Sequence, residues 1–361
     1  MNTGRNSGVD RRIELGVGRP LQQAICGIHT NELTLRHVFK DADGETSGPS
    51  SFRGPIGKVI QGDLTALPLA QFKPVRGQVP PIPADVLKEM NKDQQYLCNM
   101  CMTIQEGPGH VLQRVLSSDP GPIHQARWVT LANRILRLYV STESPTPKLE
   151  RVVFMILNQY VPGWFMYRVR PHISDEAKNL FELIRLSRKL PEDDRKIVQN
   201  VLKRNGFWAH SEDILAAMLT DSRQETRVAA VERIRKCRAK RREDDDPDDI
   251  RQFVIPDINF DADDYQEMID WTNATEPPLT MAMSDEEITA VCEHPMDFSV
   301  FPCHSQGVER WVKEVTDAAQ KKAGYAARHA LILAKARSRA DLPVMDTKKD
   351  FYSWLQGAGR S

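Results

Sequence analysis

The feature that most constrains this chain is a helical apolar period running with little interruption from Ala84 to Ala239. In ARWVTLANRILRLYVS, Trp128, Leu131, Ile135 and Leu138 recur at three- and four-residue steps, which leaves Arg127, Arg134 and Arg137 to the polar side. The pattern continues through LERVVFMILNQY and SDEAKNLFELIRLSRKL, where Ala177, Leu180, Phe181 and Ile184 form a stripe and Ser174 reads as its N-cap. Pro191 fits the first position of the next helix, with Glu192, Asp193 and Asp194 at its positive end. The stretches from Ser211 to Leu219 and from Ser222 to Arg241 complete the array. No repeat period emerges, so a bundle is expected rather than a solenoid.

The flanks read differently. The first twenty residues are rich in Gly and Arg and fit no regular element. Leu21 to Ile28 reads as a short strand with Cys26 and Ile28 on one face, followed by a helix from His29 to Lys40 that turns Leu33, Val38 and Phe39 inward. From Asp41 to Pro83, Gly, Ser and Pro are so frequent that long irregular loops are expected. At CRAKRREDDDPDD the charge flips from basic to acidic, which marks a linker. Beyond it lie short strand-like runs in FVIPDINFDADDYQEMIDW, and a helix start at Ser284 with Glu287 in a capping box. Two more helices are expected, one from His304 with Val308, Val312 and Val315 on one face, one from Tyr325 to Arg339. The expected fold class is mainly α with a small α/β part, divided at 1–83, 84–240, 241–283 and 284–361.

Composition narrows the function classes. Lys+Arg and Asp+Glu are equal at 49 each, so nucleic acid could be attracted only by a local patch. No apolar run approaches the roughly 18 residues of a membrane span, and the polar start carrying Arg5, Arg11 and Arg12 is no secretory signal. Six cysteines in 361 residues are too sparse for a disulfide scaffold, which points to a reducing compartment, nucleus or cytoplasm.

Five groups of residues are candidates for chemistry. Cys26-Gly-Ile-His29 is a C-x-x-H pair that Cys303 and His304 could complete to four zinc ligands, although an isolated pair favours a buried thiol and a capping imidazole. Cys98 and Cys101 lie within a helix and read as small core side chains. The loop ETSGPSSFRGPIGK offers Lys58 and backbone N–H groups to a phosphate, or is simply a loop. The run RIRKCRAKRR, with Arg233, Arg235, Lys236, Arg238, Lys240, Arg241 and Arg242, is a basic helix face able to meet a phosphate backbone, though solvated helix surface is its default. Glu309, at the edge of its stripe, could reach a cleft or pair with Lys313.

Several segments together resemble an invertebrate family of transposase-derived proteins similar to hAT-type transposases. They include ELGVGRPLQQAICGIHTNELTLRHVF, DGETSGPSSFRGPIGK, HQARWVTLANRILRLYVSTESP, LPEDDRKIVQNVLKRNGFWAHSEDILAAMLTDSR, TEPPLTMAMSDEEI and PCHSQGVERWVKEVTDAA. The resemblance implies a partial ribonuclease-H-like core interrupted by a large helical insertion. In it Cys26 and His29 match the C-x-x-H motif and Glu309 the final catalytic acid. Two-metal cleavage by such a core needs several carboxylates around ions about 4 Å apart. Two aspartates should precede the C-x-x-H, and only Asp10 does. The expectation is therefore a truncated relic without catalysis and without a cofactor, Mg²⁺ or Mn²⁺ entering only if it were competent. It would retain binding to DNA or to a protein partner, a second copy included, and no membrane association.

Two rival expectations stand beside it. One is a helical interaction module presenting Trp128, Trp164 and Trp208. The other is an intact metal-dependent nuclease in which Asp41, Asp43 or Asp63 works with Glu309.

Overall fold

A computed structural model describes residues 27–45, 52–107, 118–123, 128–170, 172–205, 211–239, 257–274, 276, 280 and 283–296. These residues are mainly helical, as the periodicity requires. Helix α1 (Gly27–Asp43) is followed by the short α2 (Pro55–Ile60) and α3 (Ala84–Glu89), then by α4 (Lys92–Glu106) and α5 (Val129–Val140). A longer helical rod comprises α6 (Pro147–Met155), one π turn (Ile156–Tyr160) and α7 (Val161–Val169). The array closes with α8 (Glu176–Ser187), α9 (Glu192–Arg204), α10 (Ser211–Leu219) and α11 (Gln224–Ala239), and the short α12 (Asp285–Ala290) lies beyond. β structure among the described residues is confined to isolated bridge positions, the antiparallel pair Ile258 and Ile269 and one at Phe52. No helix among them is long and apolar enough to cross a membrane.

Several local expectations shift. Gly27 and Ile28 belong to the first turn of α1 rather than to a strand, and residues 21–26 lie outside the described part. Val38 and Phe39 are buried as the period demands, whereas Leu33 is only half-buried. Pro191 occupies the N-cap of α9, one residue before the expected first turn. A 3₁₀ turn, Ile173–Asp175, takes the place of a Ser174 cap on α8. Ser284 and Glu287 do form the capping box, each side chain bonding the other's backbone N–H. The π turn precedes Pro162, whose ring has no N–H to give to the turn before it. Asn31 of α1 donates to Tyr160 O there at 2.7 Å.

One apolar cluster runs through the described residues. It joins Ile28 and Phe39 to Leu97 and Trp164, and these to Ile258, Met268, Ile288 and Val291. Apolar contact therefore crosses positions 83/84, 240/241 and 283/284. Helix α1 packs against α6, α7, α9 and the π turn, so the segment carrying His29 lies directly on the helical array.

The irregular segment after α2 is held by side chains of the helices. A chain path without regular structure leaves its carbonyls unpaired unless something donates to them. Arg134 and Arg137, expected on the polar side of α5, are instead buried at 8% and 1% exposure because they make those donations. Arg134 Nε bonds Ile60 O at 2.5 Å, Nη1 bonds Gly121 O at 2.8 Å, and Nη2 reaches Gly62 O. Arg137 donates to Leu67 O at 2.5 Å, Tyr139 to Lys73 O at 2.9 Å and Asn158 to Arg76 O at 3.0 Å. The same device fixes the far end. Arg188 donates to Phe260 O at 2.8 Å and Ala262 O at 2.5 Å, and Arg227 to Val291 O at 2.8 Å and Cys292 O at 3.1 Å.

Candidate nucleic-acid interface

The basic run at the end of α11 divides into two sets of cations. Ile234 and Cys237 form the buried stripe of this part of the helix. At 3.6 residues per turn, Arg233 and Arg238 flank that stripe while Arg235 and Lys236 turn outward. Arg233 lies 4.4 Å over the Trp271 ring, pairs with Glu267 Oε1 at 2.6 Å and donates to Gln266 O at 2.9 Å. Arg238 pairs with Glu276 at 2.8 Å and with Asp285, and donates to Thr280 O at 2.9 Å and Met283 O at 2.7 Å. These two arginines therefore hold Gln266, Glu267, Glu276, Thr280 and Met283, with their charge matched by carboxylates. Arg235 is exposed and, among the described residues, donates only to the neutral Thr289 hydroxyl at 2.8 Å, and Lys236 is exposed. Lys240, Arg241 and Arg242 lie outside the described residues.

Of the C-x-x-H pair, His29 sits in the first turn of α1 with its side chain 58% exposed, Nδ1 3.3 Å from Glu32 Oε2. Cys26, Cys303, His304 and Glu309 lie outside the described residues. No group of three or more His, Cys, Asp or Glu side chains able to hold a metal occurs among those described.

The three aspartates weighed as nuclease ligands are engaged elsewhere. Asp43 is buried and caps α2: Ile56 N–H donates to Oδ1 at 2.8 Å and Gly57 N–H to Oδ2 at 2.7 Å. Asp41 pairs with Arg151 at 2.8 Å, and the same guanidinium bonds the buried Asp194 at 2.6 Å. Asp63 accepts from Thr65 N–H at 2.9 Å and from its hydroxyl at 2.6 Å. The Asp43 cap also decides the fate of the Gly/Ser-rich loop. Its helix start has the free N–H groups a phosphate would need, and an internal carboxylate occupies them. A Cβ at Gly54 would collide with the carbonyl and carboxylate of Asp43, so only glycine permits that approach.

Cys98 and Cys101 are buried free thiols whose pKa values burial pushes up, that of Cys101 well above the ordinary cysteine range. They pack the core, as their place in the helix suggested. Of the three tryptophans, Trp164 is fully buried, Trp128 is half-buried with its ring 6.3 Å edge-on from Phe52, and Trp208 lies outside the described residues.

One cationic grouping was not visible in the sequence, because its halves are far apart along the chain and only packing joins them. Helices α1 and α9 lie against each other. Arg36 and Arg204 are exposed, and His37 and Lys40 are half-buried beside them. Burial first, then the positive charges of Arg204, Arg36 and Lys40, lower the pKa of His37. The signal that could have flagged the α1 half is the outward i, i+4 pair Arg36 and Lys40.

No protein-family model, curated protein or solved structure matches the chain.

Proposed function

We propose that this chain is a transposase-derived helical module that binds nucleic acid and does not itself cut it. The observation that carries the reading is the separation of charges by role. The carboxylates Asp41, Asp43 and Asp63 are engaged in an ion pair, a helix cap and a turn. On α11, by contrast, Arg235 and Lys236 face solvent with no carboxylate bonded to them among the described residues. A charge-neutral chain needs such local, uncompensated cations to hold a phosphate backbone. The derivation from a transposase, with its ribonuclease-H-like core, rests on the ordered segments of the resemblance. It is supported by the packing of the His29 helix directly on the array that matches the insertion. The rival reading, a partner surface built on tryptophans, is weakened by the burial of Trp164.

The test is binding of the full chain to a labelled mixed-sequence duplex, with R235Q/K236Q beside the parent. Affinity should fall in the double variant while thermal stability stays within about 0.5 kcal/mol, as for ordinary surface substitutions. R233Q or R238Q should instead lower stability, because each removes the guanidinium donors from ordered carbonyls and from a carboxylate. Mg²⁺- or Mn²⁺-dependent cleavage of the duplex that disappears in E309Q would refute the non-cleaving reading. Absence of DNA binding at 50 mM salt would refute the binding one.

A further inference from the structure

We propose that the outer face of α1 and α9, carrying Arg36, Lys40, Lys203 and Arg204, is a second docking surface, for the phosphodiester backbone of duplex DNA. The inference rests on the nucleic-acid reading above and assigns it residues outside α11.

The geometry comes from two packed helices. On α1, Arg36 and Lys40 are one turn apart, about 6 Å along the axis. On α9, Lys203 and Arg204 are neighbours in the last turn. Packed helices have axes about 8–10 Å apart, so the face presents its cations in two adjacent rows. Adjacent rows of cations suit the regularly repeated charge of a phosphodiester backbone. Of the other residues on these helices, Leu33 and His37 are half-buried and Asn200 is exposed, and no Phe, Tyr or Trp is exposed there. The chemistry on offer is backbone contact with a duplex.

The existing partners of these cations do not compete strongly. Lys40 pairs with Glu45 at 2.7 Å, the side chains 41% and 71% exposed, and Lys203 with Asp257 at 2.8 Å, at 59% and 88%. Pairs this exposed are weak and exchange readily. Asp41, the acid next to Lys40, is held by Arg151. Among the described residues neither Arg36 nor Arg204 is bonded to a carboxylate. His37, between the rows, reports occupancy: a phosphate there offsets the charges of Arg36, Lys40 and Arg204 and raises its proton affinity.

The experiment measures anisotropy of a labelled 30-bp mixed-sequence duplex with the full chain from 50 to 200 mM salt, comparing the parent, R36Q/R204Q and R235Q/K236Q. Four backbone contacts on this face contribute a log–log slope of about −3.6, a loss of about 150-fold over that range. R36Q/R204Q should remove about half of the slope, leaving about a 12-fold loss from the face, with an unchanged melting temperature. In the parent, the His37 ring signal in NMR should titrate at higher pH with duplex present. If R36Q/R204Q binds as the parent does while R235Q/K236Q is impaired, the second surface is wrong and the function stands. If the parent does not bind duplex, both fall. Equal affinity for poly-glutamate would assign the face to acidic protein segments and overturn the backbone proposal.

Discussion

Replacing Arg134 by methionine tests the claim that buried arginines hold the irregular segments in place. The side chain donates from three nitrogens to Ile60 O, Gly121 O and Gly62 O, so it ties the end of α2 and the turn before α5 to one helix. Burial lowers its pKa and Asp119 and Asp63 partly oppose that, but the groups bonded to the guanidinium are carbonyls. A hydrogen bond from a charged donor contributes about 1.5–3 kcal/mol net, and three would reach roughly 5–9 kcal/mol if each carbonyl stayed dry and unpaired. Two effects reduce that sum. Gly62 is exposed, so its carbonyl can turn to water. Methionine also fills much of the volume and removes the cost of desolvating a charge. The expected loss is therefore about 3–4 kcal/mol, which for a domain of this size lowers Tm by about 6–12 °C. R134K, which keeps the charge without the three-pronged geometry, should recover less than half. The assays are urea unfolding and hydrogen exchange, in which amides of residues 60–76 should lose protection before those of α5. A loss under 1 kcal/mol for R134M would show that the segment is held by its apolar contacts and that the arginine is incidental.

Four further outcomes are expected. Burial, then the neighbouring Glu212, raise the pKa of Asp213 well above the ordinary aspartate value, so the folded chain keeps a proton that the unfolded chain gives up above about pH 4. D213N should consequently be more stable than the parent at pH 7, with the gap closing as pH falls toward 4; a gap independent of pH would refute this. Asp221 has the opposite sign: burial raises its pKa, but hydrogen bonds from Arg223 and the charge of Lys178 outweigh that and hold it low. It contributes stability above about pH 4 that is lost in acid, so D221N should be destabilised at pH 7 and converge with the parent at low pH. For the Asp43 cap, D43A should cost about 1–2 kcal/mol and D43N less, since an amide oxygen can still accept, as urea unfolding would show. Among the four described cysteines, Cys292 should react first with a thiol reagent in the folded state, and Cys98 and Cys101 only on unfolding; mass spectrometry of the modified peptides decides the order.

The parts of the fold that follow from local rules were legible in the sequence. The stripes of α5 and α8 set their helices by apolar period, and the Ser284–Glu287 box marked its helix start by side-chain chemistry at fixed spacing. What the sequence hid was long-range polar contact. Arg134 and Arg137 look like solvent-facing residues because periodicity weighs hydrophobicity and contains no term for a carbonyl some seventy positions away. At Gly27 and Ile28 helix replaces the end of the expected strand. A short apolar run suits either element, and these two residues belong to a helix that packs against α6, α7 and α9. In the basic run, composition gave the cations but not their directions, and only the helical phase around Ile234 and Cys237 separates Arg233 and Arg238 from Arg235 and Lys236.

That separation limits where a nucleic-acid contact can lie. Arginine on this scaffold has two uses, and burial tells them apart. Where a helix faces irregular chain, as at Arg134, Arg137, Arg188, Arg227, Arg233 and Arg238, the guanidinium donates to carbonyls. Drawing any of these toward a phosphate would cost the bonds that hold the segment, of order 1.5–3 kcal/mol each. A phosphate contact at the surface returns no more than that and weakens with salt. The inner arginines therefore stay with the fold, and the proposed binding falls to exposed cations whose present partners are weak or neutral. On the two proposed surfaces these are Arg235 and Lys236 on α11, and Arg36, Lys40, Lys203 and Arg204 on α1 and α9. On the proposed reading, a chain with equal numbers of acids and bases holds DNA only through such local cations.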